Sequence, residues 1–155
     1  MDREGDAAVN FFTKMTLGAA AVLLAAVAAI LLFRSREAGR VEDLLREAVG
    51  WARAGDADRC GALIAPDFDD GGYDAAAARN EIRRRVRPGA FAKLEVAGLE
   101  VRVDGIHARA RLELDVQPAD APIRVTMREV LRLTLRKAGD EWKITGAHRE
   151  ERRPR

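Results

Sequence analysis

The stretch MREVLRLTLRKAGDEWKITGAHR, residues 127–149, decides the fold, because it has the pattern of two β-strands joined by a tight loop. Apolar residues recur at every second position, as in a sheet with one buried face: Leu131, Leu133 and Leu135, then Trp142 and Ile144. Glu129 is in step with these leucines. The pattern therefore places a carboxylate on the face that should point inward.

The parity of the apolar residues predicts a register for this hairpin. Pairing Leu135 with Trp142, around a loop at 137–140, keeps both apolar sets on one face, and a shift by one residue would expose one of them. The same register sets Glu129 across from His148, both pointing inward. Such a pair has the chemistry of a general base and its orienting partner.

Three interpretations of the Glu129/His148 pair stay open. Both residues lie toward the ends of their strands, where water reaches a curved sheet, so the two polar groups could simply satisfy each other. Alternatively, they line a ligand pocket, or they act in catalysis. The pairing itself is a hypothesis, and it is wrong if the two side chains lie on opposite faces of the sheet.

The residues before this hairpin predict two more strands and three helices. From Phe91 onward the apolar period is two, and Asp104-Gly105 signals a two-residue turn that sets Glu100 across from Arg109. Helical spacing comes earlier in the chain, with one helix starting at residue 41 and two more capped by aspartates: Asp56 and Asp74. Three helices followed by four strands predict an α+β fold, with the helices packed on a curved four-stranded antiparallel sheet.

Three segments resemble the nuclear transport factor 2-like superfamily, which includes ketosteroid isomerase and the SnoaL-like cyclases: WARAGDADRCGALIAPDFDD (51–70), EIRRRV (81–86) and GDEWKITGAHR (139–149). The resemblance covers residues 40–150. It implies a cone-shaped domain in which the concave sheet face and the helices enclose a pocket. The candidate pocket residues are Glu129, His148, Tyr73 and Trp142. Ketosteroid isomerase relies on aspartates that have no inward-facing counterpart on the predicted strands, so its catalytic set does not carry over.

An uncharged segment, TLGAAAVLLAAVAAILLF at 16–33, predicts a transmembrane helix, because as a helix it spans ~27 Å of a hydrocarbon core of ~30 Å. A signal peptide cleaved after Ala28 is the alternative. The predicted organisation is a short tail, the anchor, a basic juxtamembrane linker, the folded domain and a frayed basic tail: 1–15, 16–33, 34–40, 41–150 and 151–155. The Lys and Arg count favours a cytoplasmic position of the domain by a small margin, and the side of the membrane stays open.

The outer face of the predicted sheet is rich in arginine. Six arginines form a candidate face for a protein partner or for anionic lipid: Arg102, Arg109, Arg111, Arg128, Arg132 and Arg136. A mixed, solvated face is the alternative. Self-association is a further possibility, since members of the superfamily often dimerise or bind partners through the sheet.

Composition excludes several classes of function. With 27 basic and 25 acidic residues the net charge is only +2, which argues against a nucleic-acid binder. The single cysteine, Cys60, cannot form an internal disulfide or a multi-cysteine zinc site, and we expect it in the core. The acidic loop at 67–74 lacks the spacing of a calcium-binding EF-hand. We therefore expect no metal and no cofactor.

Two functions fit these observations. The first is a non-catalytic binding or assembly module, tethered to the cell membrane by a single span and engaging a protein partner. The second is a small-molecule binder or an isomerase- or dehydratase-like enzyme that uses Glu129 and His148. We favour the first, because an enzyme acting on a soluble metabolite gains little from an anchor.

Overall fold

The computed structural model describes residues 5–121 and 125–150, with side chains from Val27 onward. The helices are α1 (Gly5–Ala54), α2 (Ala57–Ala62) and α3 (Ala75–Arg85), and the strands are β1 (Phe91–Asp104), β2 (His107–Pro118), β3 (Met127–Ala138) and β4 (Glu141–Arg149). The chain forms two compact units, Met1–Arg36 and Glu37–Arg155. The tail predicted at 151–155 lies outside the described residues.

Helix α1 is continuous through the predicted linker at 34–40, because that stretch has no proline and only one glycine to weaken it. In the part of the first unit with described side chains, the apolar residues are exposed: Val27, Ile30, Leu31, Leu32 and Phe33. No helix of the described residues has a long enough apolar stretch to cross a membrane. Most of the segment predicted to do so, 16–33, lies outside the described side chains.

The sheet of the second unit is an antiparallel meander in the order β1-β2-β3-β4, as predicted. The turn between β1 and β2 is formed by Gly105 (φ 59°) and Ile106, one position later than predicted. Glu100 therefore lies across from Arg111 instead of Arg109. The pairing moves by two residues, which preserves the side-chain alternation, so Val101 and Val103 still pack against the core. Ile106, which the predicted register paired with Val103 on the buried face, lies in the turn and is 55% exposed.

The predicted register of the β3–β4 hairpin is wrong for two reasons. The turn contains only two residues, so Leu135 pairs with Ile144 instead of Trp142. A bulge then places Thr145 as an extra residue in β4, because the next pair is Thr134 with Gly146. Glycine is required there, since a Cβ at Gly146 would lie 2.6 Å from the Thr134 hydroxyl.

This bulge separates the two residues that the sequence pattern paired. His148 lies across from Arg132, on the outer face, while Glu129 keeps its inward position in step with Leu131. The prediction that Glu129 and His148 face each other is therefore wrong.

The core lies between α1 and the inner face of the sheet. Val41 and Leu45, separated by one helical turn, pack against Leu133, Leu135 and Trp142. A second cluster joins the connection between α2 and α3 to the edge strand: Ile64, Phe68 and Ala75. That connection also bonds to β4, through Ala65 N–H to the Ile144 carbonyl at 2.9 Å and Ile144 N–H to the Leu63 carbonyl at 2.8 Å. The β4 edge is thereby covered.

Candidate functional site

The four predicted pocket residues do not form one site. Glu129 accepts a hydrogen bond from the guanidinium of Arg149, which is itself exposed. His148 is exposed on the opposite face. The Tyr73 side chain is 46% exposed in the loop before α3, and Trp142 is buried against α1. The inward carboxylate of Glu129 thus has an arginine partner at the end of the sheet, where water screens it.

Trp142 donates a hydrogen bond to Glu37, a residue that the sequence pattern did not identify. Its carboxylate is buried, with 4% of the residue exposed, and it is the one buried charged residue in the described part of the chain. It accepts hydrogen bonds from Lys137 Nζ at 2.9 Å, Trp142 Nε1 at 3.2 Å and Arg40 at 3.1 Å. The hydrogen bond from Lys137 holds the pKa of Glu37 below its usual value, although burial opposes this.

The signal for Glu37 was present in the sequence. Glu37 is four residues before Val41, so both lie on one helix face. The segment was assigned to a linker, and a glutamate in a linker is expected to be solvated. Three protein donors satisfy the buried carboxylate, so this cluster stabilises the contact of α1 with the β3–β4 hairpin.

A cleft of about 350 Å³ lies beside Trp142. Its apolar walls are Leu44, Trp51, Leu63 and Trp142. The cations at its rim already have partners: the Arg59 guanidinium lies 5.9 Å from the Trp51 ring centre, and Lys143 bonds to Glu141 at 2.9 Å and to the Ala62 carbonyl at 3.0 Å. The cleft is therefore an amphipathic groove, and both of these rim cations, Arg59 and Lys143, are already bound by groups of the domain.

The outer face of the sheet carries all six arginines of the predicted partner face. The register sets Arg102 across from Arg109, Arg111 across from Arg132, and Asp115 across from Arg128. Arg136 is bound at 2.9 Å by Asp67 of the connection between α2 and α3.

Carboxylates neutralise one half of this face. Glu150 bonds to both Arg132 and Arg111, and Asp115 bonds to Arg128 at 3.0 Å. Hydrogen bonds from these arginines lower the pKa of both Glu150 and Asp115. The remaining two arginines, Arg102 and Arg109, are exposed and have no ion-pair partner among the residues that the structure describes.

The described residues contain no group of three or more His, Cys, Asp or Glu side chains that could hold a metal ion. In the acidic loop, Asp70 accepts from the backbone N–H groups of Gly72 (2.9 Å) and Tyr73 (2.7 Å), and these bonds lower its pKa. Asp69 caps Gly71 in the same way at 2.8 Å. The loop carboxylates are therefore used to shape turns.

Comparison of this geometry with solved structures identifies nuclear transport factor 2-like neighbours. One is a nuclear transport factor 2-like protein of unknown function from Pseudomonas putida, with 18% identity and a TM-score of 0.63 over 74% of this chain and 86% of the other. Another, from Streptomyces avermitilis, is a candidate dehydratase of the same family, with 13% identity and a TM-score of 0.61 over 74% and 95% of the two chains.

A third neighbour, from Exiguobacterium sibiricum, is a candidate association domain of calcium/calmodulin-dependent kinase II type, with 17% identity and a TM-score of 0.58 over 74% and 92% of the two chains. No protein-family profile and no curated protein matches the sequence. At these identities the neighbours establish the fold, which is that of the nuclear transport factor 2-like proteins.

Proposed function

From this fold, we propose that the chain is a non-catalytic binding module, anchored in a membrane by residues 16–33 and engaging a protein partner through the outer face of its sheet. The observation that carries the proposal is the position of the two residues best suited to acid–base chemistry. Glu129 and His148 lie on opposite faces, and Glu129 is bound to Arg149. A general base needs its orienting group within hydrogen-bond reach.

The fold by itself is compatible with an enzyme and with a non-catalytic binding module. One neighbour is a candidate dehydratase and another is a candidate association domain. Function is therefore argued from the residues of this chain. The inward polar groups Glu37 and Glu129 are both engaged by side chains of the domain, whereas the outer face presents exposed charge.

The anchor is supported by the exposed apolar side chains at the end of segment 16–33. Leu32 is 69% exposed and Phe33 57%, and three more apolar residues of the same stretch are similarly open. A contiguous apolar surface of this kind is stabilised by burial in lipid or against another protein. Arg34, Arg36 and Arg40 follow directly and suit the interfacial position.

Alkaline carbonate extraction of cell membranes tests the anchor. We expect the full chain to stay in the membrane pellet, and the variant Ala25→Arg/Ile30→Arg to move to the soluble fraction, because two charges in the span oppose insertion. The matched control, Ala7→Arg/Ala8→Arg, places the same charges outside the segment and should stay in the pellet. A wild-type chain that is extracted by carbonate would overturn the anchor. Paired C-terminal reporter fusions, each active on one side only, then assign the side.

A second candidate function, small-molecule binding, is favoured by the cleft beside Trp142. Because Trp51 and Trp142 both line it, a ligand there should change the intrinsic tryptophan fluorescence. Titration with apolar carboxylic acids tests this, with Leu44→Arg as the variant that fills the groove. Saturable quenching that this variant abolishes would favour the second function. An unchanged spectrum would favour the first.

A further inference from the structure

We infer that the Arg102/Arg109 pair is a receptor for a carboxylate of an acidic protein segment. The inference rests on the proposed function, because it names the chemistry of the partner that the outer face binds. Its starting point is a pair of like charges: Arg102 on β1 lies directly across from Arg109 on β2. Side chains in this relation are about 5 Å apart at Cβ, and like charges so placed destabilise a sheet unless an anion joins them.

The same sheet contains a second pair of facing arginines, and that pair has its anion. Arg111 on β2 lies across from Arg132 on β3. The carboxylate of Glu150 bonds to both, with one oxygen on Arg132 and the other 3.4 Å from Nε of Arg111. Arg111 also bonds to Glu113 on its own strand, and Glu150 is the carboxylate that bridges the two guanidinium groups. The sheet thus uses a bridging carboxylate to join facing arginines.

The pair at Arg102 and Arg109 has no such group. Both side chains are exposed, and among the described residues no carboxylate oxygen lies within 4.0 Å of either guanidinium. Glu100 is two residues away from Arg102 on the same strand face, and no ion pair joins these two side chains. The next residue in the row is Thr134 on β3, which is short and exposed and leaves the pair open to a partner.

A carboxylate of a partner protein segment bridges Arg102 and Arg109 in the way that Glu150 bridges Arg111 and Arg132. The partner chemistry is therefore an exposed run of Asp or Glu. Guanidinium groups also bind phosphate, so inorganic phosphate and anionic lipid are the two competing occupants that the experiment must separate.

The test uses the full chain in a non-ionic detergent and a fluorescein-labelled oligoglutamate peptide, followed by fluorescence anisotropy at low ionic strength. We expect Arg102→Glu/Arg109→Glu to weaken binding by about tenfold or more, because it replaces both donors by repelling charges. The matched control is Arg46→Glu/Arg87→Glu, which makes the same change in net charge at two exposed arginines of α1 and of the loop after α3. It should weaken binding by less than about twofold.

Three further variants test the geometry. Arg102→Lys/Arg109→Lys keeps the charge but removes the planar fork, so its affinity should fall between wild type and the Glu variant. Glu150→Gln takes the bridging carboxylate from Arg111 and Arg132 while Glu113 stays on Arg111, so the released Arg132 should raise the amount of peptide bound. Equal weakening by the control variant would overturn the inference. Unchanged peptide binding by Glu150→Gln would overturn it too. So would a loss of stability in Glu100→Gln, because it would show that Glu100 forms an ion pair within the domain.

The competing occupants give distinct results. Displacement of the peptide by low concentrations of inorganic phosphate, or binding to phosphatidylglycerol vesicles but not to oligoglutamate, would overturn the assignment to a protein carboxylate. The outcome is separable from that of the proposed function. If only the Arg102/Arg109 variants lose peptide binding, the inference holds even if carbonate extracts the chain. If the chain stays in membranes but binds no peptide, the anchor is supported and the inference is overturned.

Discussion

The indole Nε1 of Trp142 on β4 donates a hydrogen bond to the carboxylate of Glu37 on α1, at 3.2 Å, across 105 positions of the sequence. The same oxygen accepts from Lys137 Nζ at 2.9 Å. One helical turn later, Val41 is fully buried in the core. This contact joins the start of the folded domain to its last hairpin. A buried carboxylate is tolerated there because cations and donors surround it.

Glu37→Gln should lower the free energy of unfolding by about 1–3 kcal/mol, because it removes the charge that Lys137 binds while keeping an acceptor for Trp142. Urea denaturation of the full chain in detergent, followed by tryptophan fluorescence, measures the change. Glu47→Gln on the exposed side of the same helix is the control and should cost less than about 0.5 kcal/mol. Equal effects of the two substitutions would contradict a structural role for the buried cluster.

The stability of the domain should fall in acid, partly through Glu37. Its hydrogen bond with Lys137 lowers the pKa of the folded state below the usual value of 4.5, so between the two values the unfolded chain binds more protons. The stabilisation is complete above the unfolded pKa and is lost as the pH falls through the folded pKa. The difference in unfolding free energy between wild type and Glu37→Gln should therefore shrink below about pH 4.5. A difference that stays constant down to strongly acidic pH would contradict this assignment.

Side-chain alternation predicted which residues of the sheet are buried, because parity survives errors in register. The β1–β2 pairing was wrong by two residues, yet Val101 and Val103 still pack against the core. The β3–β4 hairpin was different, because Thr145 adds one residue and reverses the faces beyond it. A bulge depends on a close approach, here of Thr134 to Gly146, and alternation does not encode it.

The candidate site was less predictable than the fold, because it depends on pairs from distant strands. The six arginines of the outer face were identified from the sequence. Which of them are neutralised was not, since the Glu150 contacts to Arg111 and Arg132 follow from the β2–β3 register and from the end of β4. Glu37 was missed because helix α1 continues through a segment that composition assigns to a linker.

Gly55→Ala should destabilise the domain severely. Gly55 ends α1 with φ 80°, and a Cβ there would lie 2.2 Å from the backbone nitrogen of Pro88. Gly71→Ala is the control, because its φ of 86° carries the same backbone strain but nothing lies within 4 Å of the added Cβ. We expect about 1–2 kcal/mol for Gly71→Ala and clearly more for Gly55→Ala, measured by urea denaturation. Similar losses would show that the contact with Pro88 relaxes easily.

A double-mutant cycle tests the observed hairpin register. Glu129→Gln and Arg149→Gln should couple by about 0.2–1 kcal/mol, as expected of a partly exposed ion pair, and added salt should reduce the coupling. Glu129→Gln and His148→Gln should show no coupling, since these residues lie on opposite faces. Unfolding free energies of the three single variants, the two double variants and the wild type give both values. Coupling with His148 and none with Arg149 would favour the register predicted from the sequence.

Cys60 should react slowly with thiol reagents at neutral pH. Burial raises the pKa of its thiol, and the negative charge of Asp56 raises it further, so little thiolate is present. Asp56→Asn keeps a good cap for α2 but removes the charge, and it should increase the rate of reaction with Ellman's reagent by about twofold. Asp58→Asn removes the same charge from an exposed position of α2 and is the matched control, with an expected rate near that of wild type. Equal acceleration by both variants would attribute the effect to net charge or to loosening of the helix, and not to the electrostatic effect of Asp56 on the thiol.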